Sequence, residues 1–333
     1  MNKYFFAILP FSVLFGCIEI QSSKSPIEAL KMEEDTTIAV INTINNQESL
    51  VYSLKGLPFP EKKMSLQSRA RRETKLDEAR STFELNSDNL DNIIWYGRRL
   101  AYMGFYRQAI GVFSAGLEKF PTSYKLYRHR GHRYITVREF DNAIEDLQNA
   151  AFYSRPAVNN QEPDGIPNRI NKPLSNDKFN IFYHLGIAYY LKGNYDKAIS
   201  SFRKCLTFSD NDDLLVATTD WFYMTYRKIG NIDAANQLLE SIDPRTRVIE
   251  NWSYLNRILM YKELIKPENV LDKAVRADES YNPLTAYGVG NWYLYNGKVE
   301  VAKSVYQRIL LSDSWDTFGY IASEVDMLNL ENL

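Results

Sequence analysis

The spacing of hydrophobic and polar positions along the middle of the chain predicts amphipathic helices that come in pairs. Ile93, Tyr96 and Leu100 fall on one face of a helix, at the intervals i, i+3 and i+7. Gly104 follows at the position of a turn. A second helix with the same kind of apolar face comes next and stops at Pro121. This stretch is therefore predicted to form a helical hairpin.

The hairpin pattern repeats after 34 residues. Gly97 is followed at that distance by Gly131, and Ala109 by Ala143. Small residues at these places let the two helices of a hairpin cross closely, whereas larger side chains would push them apart. Further copies of the pattern place glycines at the crossing or at the turn, namely Gly186, Gly193, Gly230, Gly290 and Gly297.

A unit of this length, with two helices and fixed glycine, alanine and aromatic positions, resembles the tetratricopeptide repeat (TPR). The resemblance covers residues 66–330 and implies an all-α, right-handed α-solenoid of about six helix hairpins, one of them degenerate, with capping helices. Proteins of this family generally bind peptides or proteins in a concave groove lined by the first helix of each hairpin. The resemblance does not indicate which ligand is bound.

The first seventeen residues have the pattern of a secretory signal. An apolar run from Tyr4 to Phe15 follows a lysine and is too short to span a bilayer. The four residues Leu14-Phe15-Gly16-Cys17 resemble a bacterial lipobox, a motif whose cysteine becomes lipidated. We therefore expect a signal peptide over residues 1–16 and a lipid anchor on Cys17, which would place the protein at a bacterial membrane in the cell envelope. An ordinary cleaved signal peptide is the alternative.

Two stretches lack the helical period. Residues 17–65 are predicted to be a tether and an irregular segment before the repeats. Residues 156–178 contain four prolines and interrupt the array, since Ala143 and its counterpart Ala198 are 55 residues apart instead of 34. Loops of this length are usually functional or disordered.

Composition and motifs restrict the chemistry. The formal net charge of −1 argues against bulk nucleic-acid binding, which requires a basic field. The chain has neither a glycine-rich phosphate loop nor a hydrolase or metalloprotease motif, and its three histidines lack further ligands at metal-binding spacing. We therefore predict neither a cofactor nor a metal, and no enzymatic activity.

Candidate ligand-binding residues follow from the resemblance, in which the fifth, ninth and twelfth positions of each first helix face the groove. These positions bring Arg98, Arg128 and His132 together in adjacent repeats. Arginine binds carboxylates in a bidentate manner, so an acidic peptide or a free C-terminus is a natural ligand. Aromatic side chains complete the predicted groove, namely Tyr102, Tyr183 and Tyr190. Alternatively, the arginines pair between repeats with Glu139, Asp141, Glu145 and Asp146.

The predicted function is a non-enzymatic scaffold that binds a peptide or protein partner in its groove. Two alternatives remain open. One is an envelope-assembly lipoprotein that holds a multiprotein complex through convex surfaces and the 156–178 loop. The other is a metal-binding or enzymatic protein centred on Arg130, His129 and His132. Arg130 replaces the leucine usual at its repeat position, and a partly buried arginine there would need a partner.

Overall fold

The computed structural model describes residues 50–163 and 166–332 of the chain. These residues form fourteen α-helices, and none of the helices is long and apolar enough to cross a membrane. The all-α prediction is confirmed. The predicted signal peptide (1–16), Cys17 and the tether as far as residue 49 lie outside the described residues.

Six helix hairpins make up the array, and each consists of two helices that follow one another in the chain. A further helix stands at each end: α1 (Leu66–Leu85) and α14 (Phe318–Glu331). The hairpins are α2 (Leu90–Met103) with α3 (Tyr106–Lys119), α4 (Tyr124–Thr136) with α5 (Phe140–Tyr153), α6 (Asp177–Leu191) with α7 (Tyr195–Leu206), α8 (Asp212–Lys228) with α9 (Ile232–Glu240), α10 (Trp252–Tyr261) with α11 (Pro267–Asp272), and α12 (Pro283–Tyr295) with α13 (Val299–Leu310). The fifth hairpin is the degenerate one, because α11 has only 6 residues.

The hairpin turns require a left-handed backbone. Gly104 ends α2 with φ 94°, and Gly193 occupies the corresponding turn after α6 with φ 72°. Glycine adopts this conformation without the steric cost that a Cβ atom adds. In the second hairpin the same place, 34 residues after Gly104, holds Arg138 at φ 67°. The second hairpin therefore has the same left-handed turn, although an arginine stands where the other two hairpins have glycine.

The predicted small residues do lie at helix crossings. A Cβ atom placed on Gly186 of α6 would lie 2.5 Å from the Phe202 ring of α7. One placed on Gly290 of α12 would lie 2.6 Å from the Tyr306 ring of α13. Both rings are fully buried, so they have no free space to move into. The first helix of each of these hairpins is thus held against an aromatic ring of the second.

The two ends of the described chain meet. Residues 50–63 form no helix, and Phe59 stacks on Trp315 with ring centroids 4.9 Å apart. The indole Nε1 of Trp315 donates a hydrogen bond to the Pro60 carbonyl (3.1 Å), and Lys62 forms an ion pair with Asp316. The part of the predicted irregular segment that the structure describes is therefore packed on the fold.

We expect Gly186→Ala to destabilise the protein by about 1–3 kcal/mol, because the added methyl group overpacks the crossing with Phe202. Gly111→Ala is the matched control, since Gly111 is exposed on α3 and a Cβ there meets nothing within 4 Å. This control should stabilise the protein by about 0.5–1 kcal/mol through helix propensity. Urea unfolding of both variants measures the difference, and the same sign for both would contradict the crossing argument.

Candidate functional site

Arg98 of α2 and Arg128 of α4 lie close together, as the groove positions implied by the TPR resemblance predicted. Each is only 8% exposed. The carboxylate between them belongs to Glu162, whose Oε2 lies 3.1 Å from Arg128 Nη2 and whose Oε1 lies 3.9 Å from Arg98 Nη2. Arg98 also donates a hydrogen bond to the Pro163 carbonyl (2.8 Å). Their partner is therefore the loop that interrupts the repeats, which we call the insertion loop (described residues 156–163 and 166–176, since α6 begins at Asp177).

The insertion loop is held at several points. Asn180 of α6 donates a hydrogen bond to Glu162 Oε2 (2.9 Å), and the Glu162 amide donates one to the Ser175 carbonyl (2.9 Å). Gln161 and Asn176 form an antiparallel bridge. Glu162 itself is 8% exposed. The loop thus crosses the first helices of three repeats with a buried carboxylate as its anchor.

The three histidines lie close to these arginines and are neutral. Burial, reinforced by the charge of neighbouring arginines, lowers the pKa values of His129, His132 and His184 well below 6.5. Arg128 Nη1 donates a hydrogen bond to His129 Nδ1 (2.7 Å), so the proton of His129 sits on Nε2. His132 therefore adds no positive charge at pH 7, although the sequence suggested that it could.

Arg130 belongs to a different contact. Its Nε and Nη2 donate to the two carboxylate oxygens of Asp146, both at 2.7 Å, and its Nη1 donates to Ser114 Oγ (2.9 Å). Asp146 is one of the four acids that the sequence offered as pairing partners. This bidentate ion pair joins α4 to α5. Two of the other three acids pair elsewhere, Glu139 with Arg107 and Asp141 with Lys192.

The described residues include neither a group of side chains that could hold a metal ion nor a reactive thiol. Within residues 50–163 and 166–332, no three histidine, cysteine, aspartate or glutamate side chains group closely enough to hold a metal ion. Cys205 is fully buried, and burial raises the pKa of its thiol to about 12. The thiol therefore stays protonated and packs in the core.

Two of the predicted groove tyrosines face the inside of the molecule. Tyr183 is 7% exposed, and its hydroxyl is hydrogen-bonded to that of Tyr254 on α10 (2.9 Å). Tyr190 is 3% exposed and is bonded in the same way to Tyr287 on α12 (2.7 Å). First helices of non-neighbouring repeats thus touch one another. Tyr183 and Tyr190 offer a partner almost no surface in this structure, whereas Tyr102 remains partly exposed.

The C-terminal helix α14 contacts the first helices α4, α6, α8 and α12. Its Phe318 packs on His132 and His184, with ring centroids 5.3 and 5.6 Å apart. Its Asp326 accepts hydrogen bonds from Lys228 Nζ of α8 and from the Tyr287 hydroxyl of α12, both at 2.8 Å. The groove that the resemblance implied is therefore filled over this length by the protein's own last helix.

An open cationic surface remains at the N-terminal end of the array, where a cleft of about 290 Å³ lies between α1, α2 and the insertion loop. Arg72 Nη1 donates a hydrogen bond to the Tyr102 carbonyl (2.7 Å), while its buried Nε has no acceptor among the described residues. Burial, together with the charge of Arg98, lowers the pKa of Arg99. We call this the cationic cleft; its described lining residues include no carboxylate and are Arg71, Arg72, Lys75, Arg99, Tyr102, Ile166 and Pro167.

Of the residues predicted for ligand binding, only Tyr102 lines this cleft, and the cationic side chains of α1 were not anticipated. A signal for them exists in the sequence. Arg71 and Lys75 are spaced i, i+4 and so share one helix face, with Arg72 beside them.

A comparison with protein-family models agrees with the fold of the third hairpin. The family model for the tetratricopeptide repeat matches residues 179–212, which contain most of α6 and all of α7. This identifies a TPR in the third hairpin, and the glycine–aromatic crossings of other hairpins follow the same design. The chain therefore contains a tetratricopeptide repeat within an all-α array of helix hairpins.

Individual similarities are more distant. The BBSome complex member BBS4 of Bos taurus is 25% identical over 134 residues, which are 40% of this chain and 22% of that protein. Among solved structures, TTC0263, a thermophilic TPR protein of Thermus thermophilus, is 16% identical, with a TM-score of 0.42 over 60% of this chain and 94% of its own. YrrB, a TPR protein with an unusual peptide-binding site, is 14% identical, with a TM-score of 0.40 over 77% of this chain and 98% of its own. At these TM-scores the likeness carries no argument about function.

Replacing Asp326 by alanine should destabilise the protein by about 3–5 kcal/mol, because Lys228, whose side chain is 10% exposed, loses its counter-ion. The control lies on the same helix. Glu331 pairs with Lys55, but these side chains are 45% and 52% exposed, so Glu331→Ala should cost less than about 1 kcal/mol. Urea unfolding compares the two variants. An equally small loss of unfolding free energy in both variants would show that α14 is not anchored in the groove through Asp326.

Proposed function

We propose that this TPR protein is a non-enzymatic scaffold that binds an acidic segment of a partner protein in the cationic cleft. The observation that carries the proposal is the cleft itself, where the basic side chains of Arg71, Arg72 and Lys75 line about 290 Å³ of open space and the described lining includes no carboxylate. TPR arrays generally bind proteins through their first helices, and α2, which forms one side of this cleft, is a first helix. The lining residues provide binding groups, with no nucleophile beside a general base.

The chemistry of the cleft suits carboxylates. Guanidinium groups of Arg71 and Arg72 can hold carboxylates in a bidentate manner, while the Lys75 ammonium acts as a compact charge. On the opposite side, the loop contributes apolar surface, including Ile166 at 50% exposure. A segment in which acidic residues flank an apolar side chain would match both walls.

The predicted pair Arg98 and Arg128 supports the proposal indirectly. These arginines hold Glu162 and the Pro163 carbonyl, and so they fix the part of the insertion loop that precedes the cleft wall. The contact is an internal example of an extended segment that lies on first helices with its carboxylate between two arginines. A partner segment would use the same chemistry a short distance away, beside Tyr102.

A second candidate function is the assembly of a multiprotein complex through the insertion loop. The loop exposes two apolar side chains outside the cleft, Val158 at 76% and Ile170 at 46%. Exposed apolar side chains on a loop favour a protein contact when they form part of a larger patch. This alternative requires the exposed loop residues Val158 and Ile170, whereas the cleft proposal requires the basic residues of the cationic cleft.

We also propose that the protein is anchored by lipid on Cys17 at a bacterial membrane. The lipobox-like sequence that ends at Cys17 supports this proposal. Several acyl chains on one cysteine would give a stable anchor, since a single chain binds only marginally. Cells labelled with a palmitate analogue should incorporate it into the wild-type protein and not into Cys17→Ser. Equal label in both would refute the anchor, and absence of label in both would favour an ordinary cleaved signal.

Crosslinking in cells tests whether the cationic cleft binds an acidic segment of a partner protein. A photo-crosslinking amino acid in place of Ile166 should join the protein, in its native cells, to a partner segment rich in aspartate and glutamate, which mass spectrometry identifies. A synthetic peptide of that segment should bind the purified protein. The substitutions Arg71→Glu and Lys75→Glu together should weaken that binding at least about tenfold, because they reverse two charges of the cleft. Added salt should weaken it as well.

The control reverses two exposed arginines far from the cleft, by Arg203→Glu with Arg245→Glu, and should leave the peptide affinity unchanged. A crosslinked segment without acidic residues, or equal affinity of the cleft variant and the control, would overturn the proposal. The double variant Val158→Ser with Ile170→Ser distinguishes assembly through the insertion loop from binding in the cationic cleft. Loss of capture in that variant, with cleft reversal having no effect, would favour assembly through the loop.

A further inference from the structure

A small cavity of about 110 Å³ lies behind the insertion loop, between α2 and α4. It is distinct from the cationic cleft, with which it shares only Tyr102 among the described lining residues. Its walls are mostly polar and charged, although it is surrounded by the core of the first two hairpins. The residues that line it are Arg98, Ala101, Tyr102, Phe113, Arg128, His129, His132, Arg133 and Glu162.

The charges around this cavity do not balance. Three guanidinium groups face one carboxylate, that of Glu162, which Arg98 and Arg128 already share. Arg133 lies over the Tyr106 ring at 5.5 Å, and within the described part of the chain it has no ion-pair partner. The nearby Asp316 is already paired with Lys62. Since the two histidines are neutral, the lining carries a net formal charge of +2.

One of these arginines also lacks a hydrogen-bond acceptor. The Nε–H of Arg128 is buried and has no partner among the described residues, while its other nitrogens contact Glu162 and His129. A buried donor without an acceptor is costly, and a charged one more so. A ligand with several acceptor oxygens would remove this cost.

The size of the cavity limits the ligand. A buried water molecule needs roughly 10–15 Å³ of such space. The 110 Å³ found here therefore hold several water molecules, and equally a tetrahedral anion of five heavy atoms. Of a larger ligand, only a group of about this size would fit inside the cavity without displacing the loop.

We propose that this cavity binds a phosphate dianion, either free or as the phosphoryl group of a monoester, between Arg98, Arg128 and Arg133. Two negative charges balance the lining, and tetrahedral oxygens accept hydrogen bonds from guanidinium forks that approach from different helices. The neutral His129 has an N–H at Nε2 that can also donate. Bound phosphate would compete with Glu162 for Arg128 and thereby act on the insertion loop.

Isothermal titration of the full-length protein in phosphate-free buffer tests the site, with inorganic phosphate in one arm and phenyl phosphate in the other. We expect one ligand to bind per chain. Arg133→Gln should weaken the affinity at least about tenfold, because a charge-assisted donor is lost. Glu162→Gln should tighten it by a similar factor, because the competing carboxylate is removed from Arg128. Arg245→Gln, an exposed arginine far from the cavity, should leave the affinity unchanged.

Binding in the inorganic arm identifies the free anion as a ligand, and binding of phenyl phosphate alone identifies a monoester. Absence of binding in both arms would overturn the proposal. So would weaker or unchanged affinity in Glu162→Gln, a variant whose predicted gain cannot arise from misfolding. The titration contains no partner protein, so its failure would leave the cationic-cleft proposal untouched.

Discussion

The structure depends on the close crossing of two helices beneath an aromatic ring. Gly186 under Phe202 and Gly290 under Tyr306 leave no room for even one added methyl group. This contact fixes how the two helices of a hairpin are oriented. Because each hairpin buries its apolar face only against its neighbours, the same contact also sets how successive first helices are placed. The curvature of the array, and with it every site described above, follows from that placement.

Here the first helices approach one another so closely that the inner side of the array becomes a core. Tyr190 of the third hairpin reaches Tyr287 of the sixth, and α14 fills the remaining space with Phe318 and Asp326. One charged pair lies deep in this core, that of Arg257 and Asp220, which are 2% and 0% exposed. The inner surface therefore contributes stability, and the first-helix surface that lines the cationic cleft lies at the N-terminal end.

The insertion loop connects the two candidate binding regions. Through Glu162 it closes the inner cavity, and through Ile166 and Pro167 it forms one wall of the cationic cleft. Its position depends on buried ion pairs with Arg98 and Arg128, so a change in the charge of the cavity would also change what holds the loop. Long loops of compact proteins often carry function, and this loop lies between both sites.

The sequence by itself determined the all-α class, the 34-residue repeat, the crossing glycines and the nearness of Arg98 to Arg128. The first three follow from spacing within one repeat or between equivalent positions of adjacent repeats, whereas the nearness of Arg98 to Arg128 follows from the groove positions that the TPR resemblance implies. Only the tertiary structure decided that Glu162 is their partner, that Tyr183 and Tyr190 are buried, and that α14 fills the groove. The physical reason is that these contacts join a non-periodic loop, non-neighbouring repeats and a terminal helix, whose meeting depends on the accumulated curvature of the whole array.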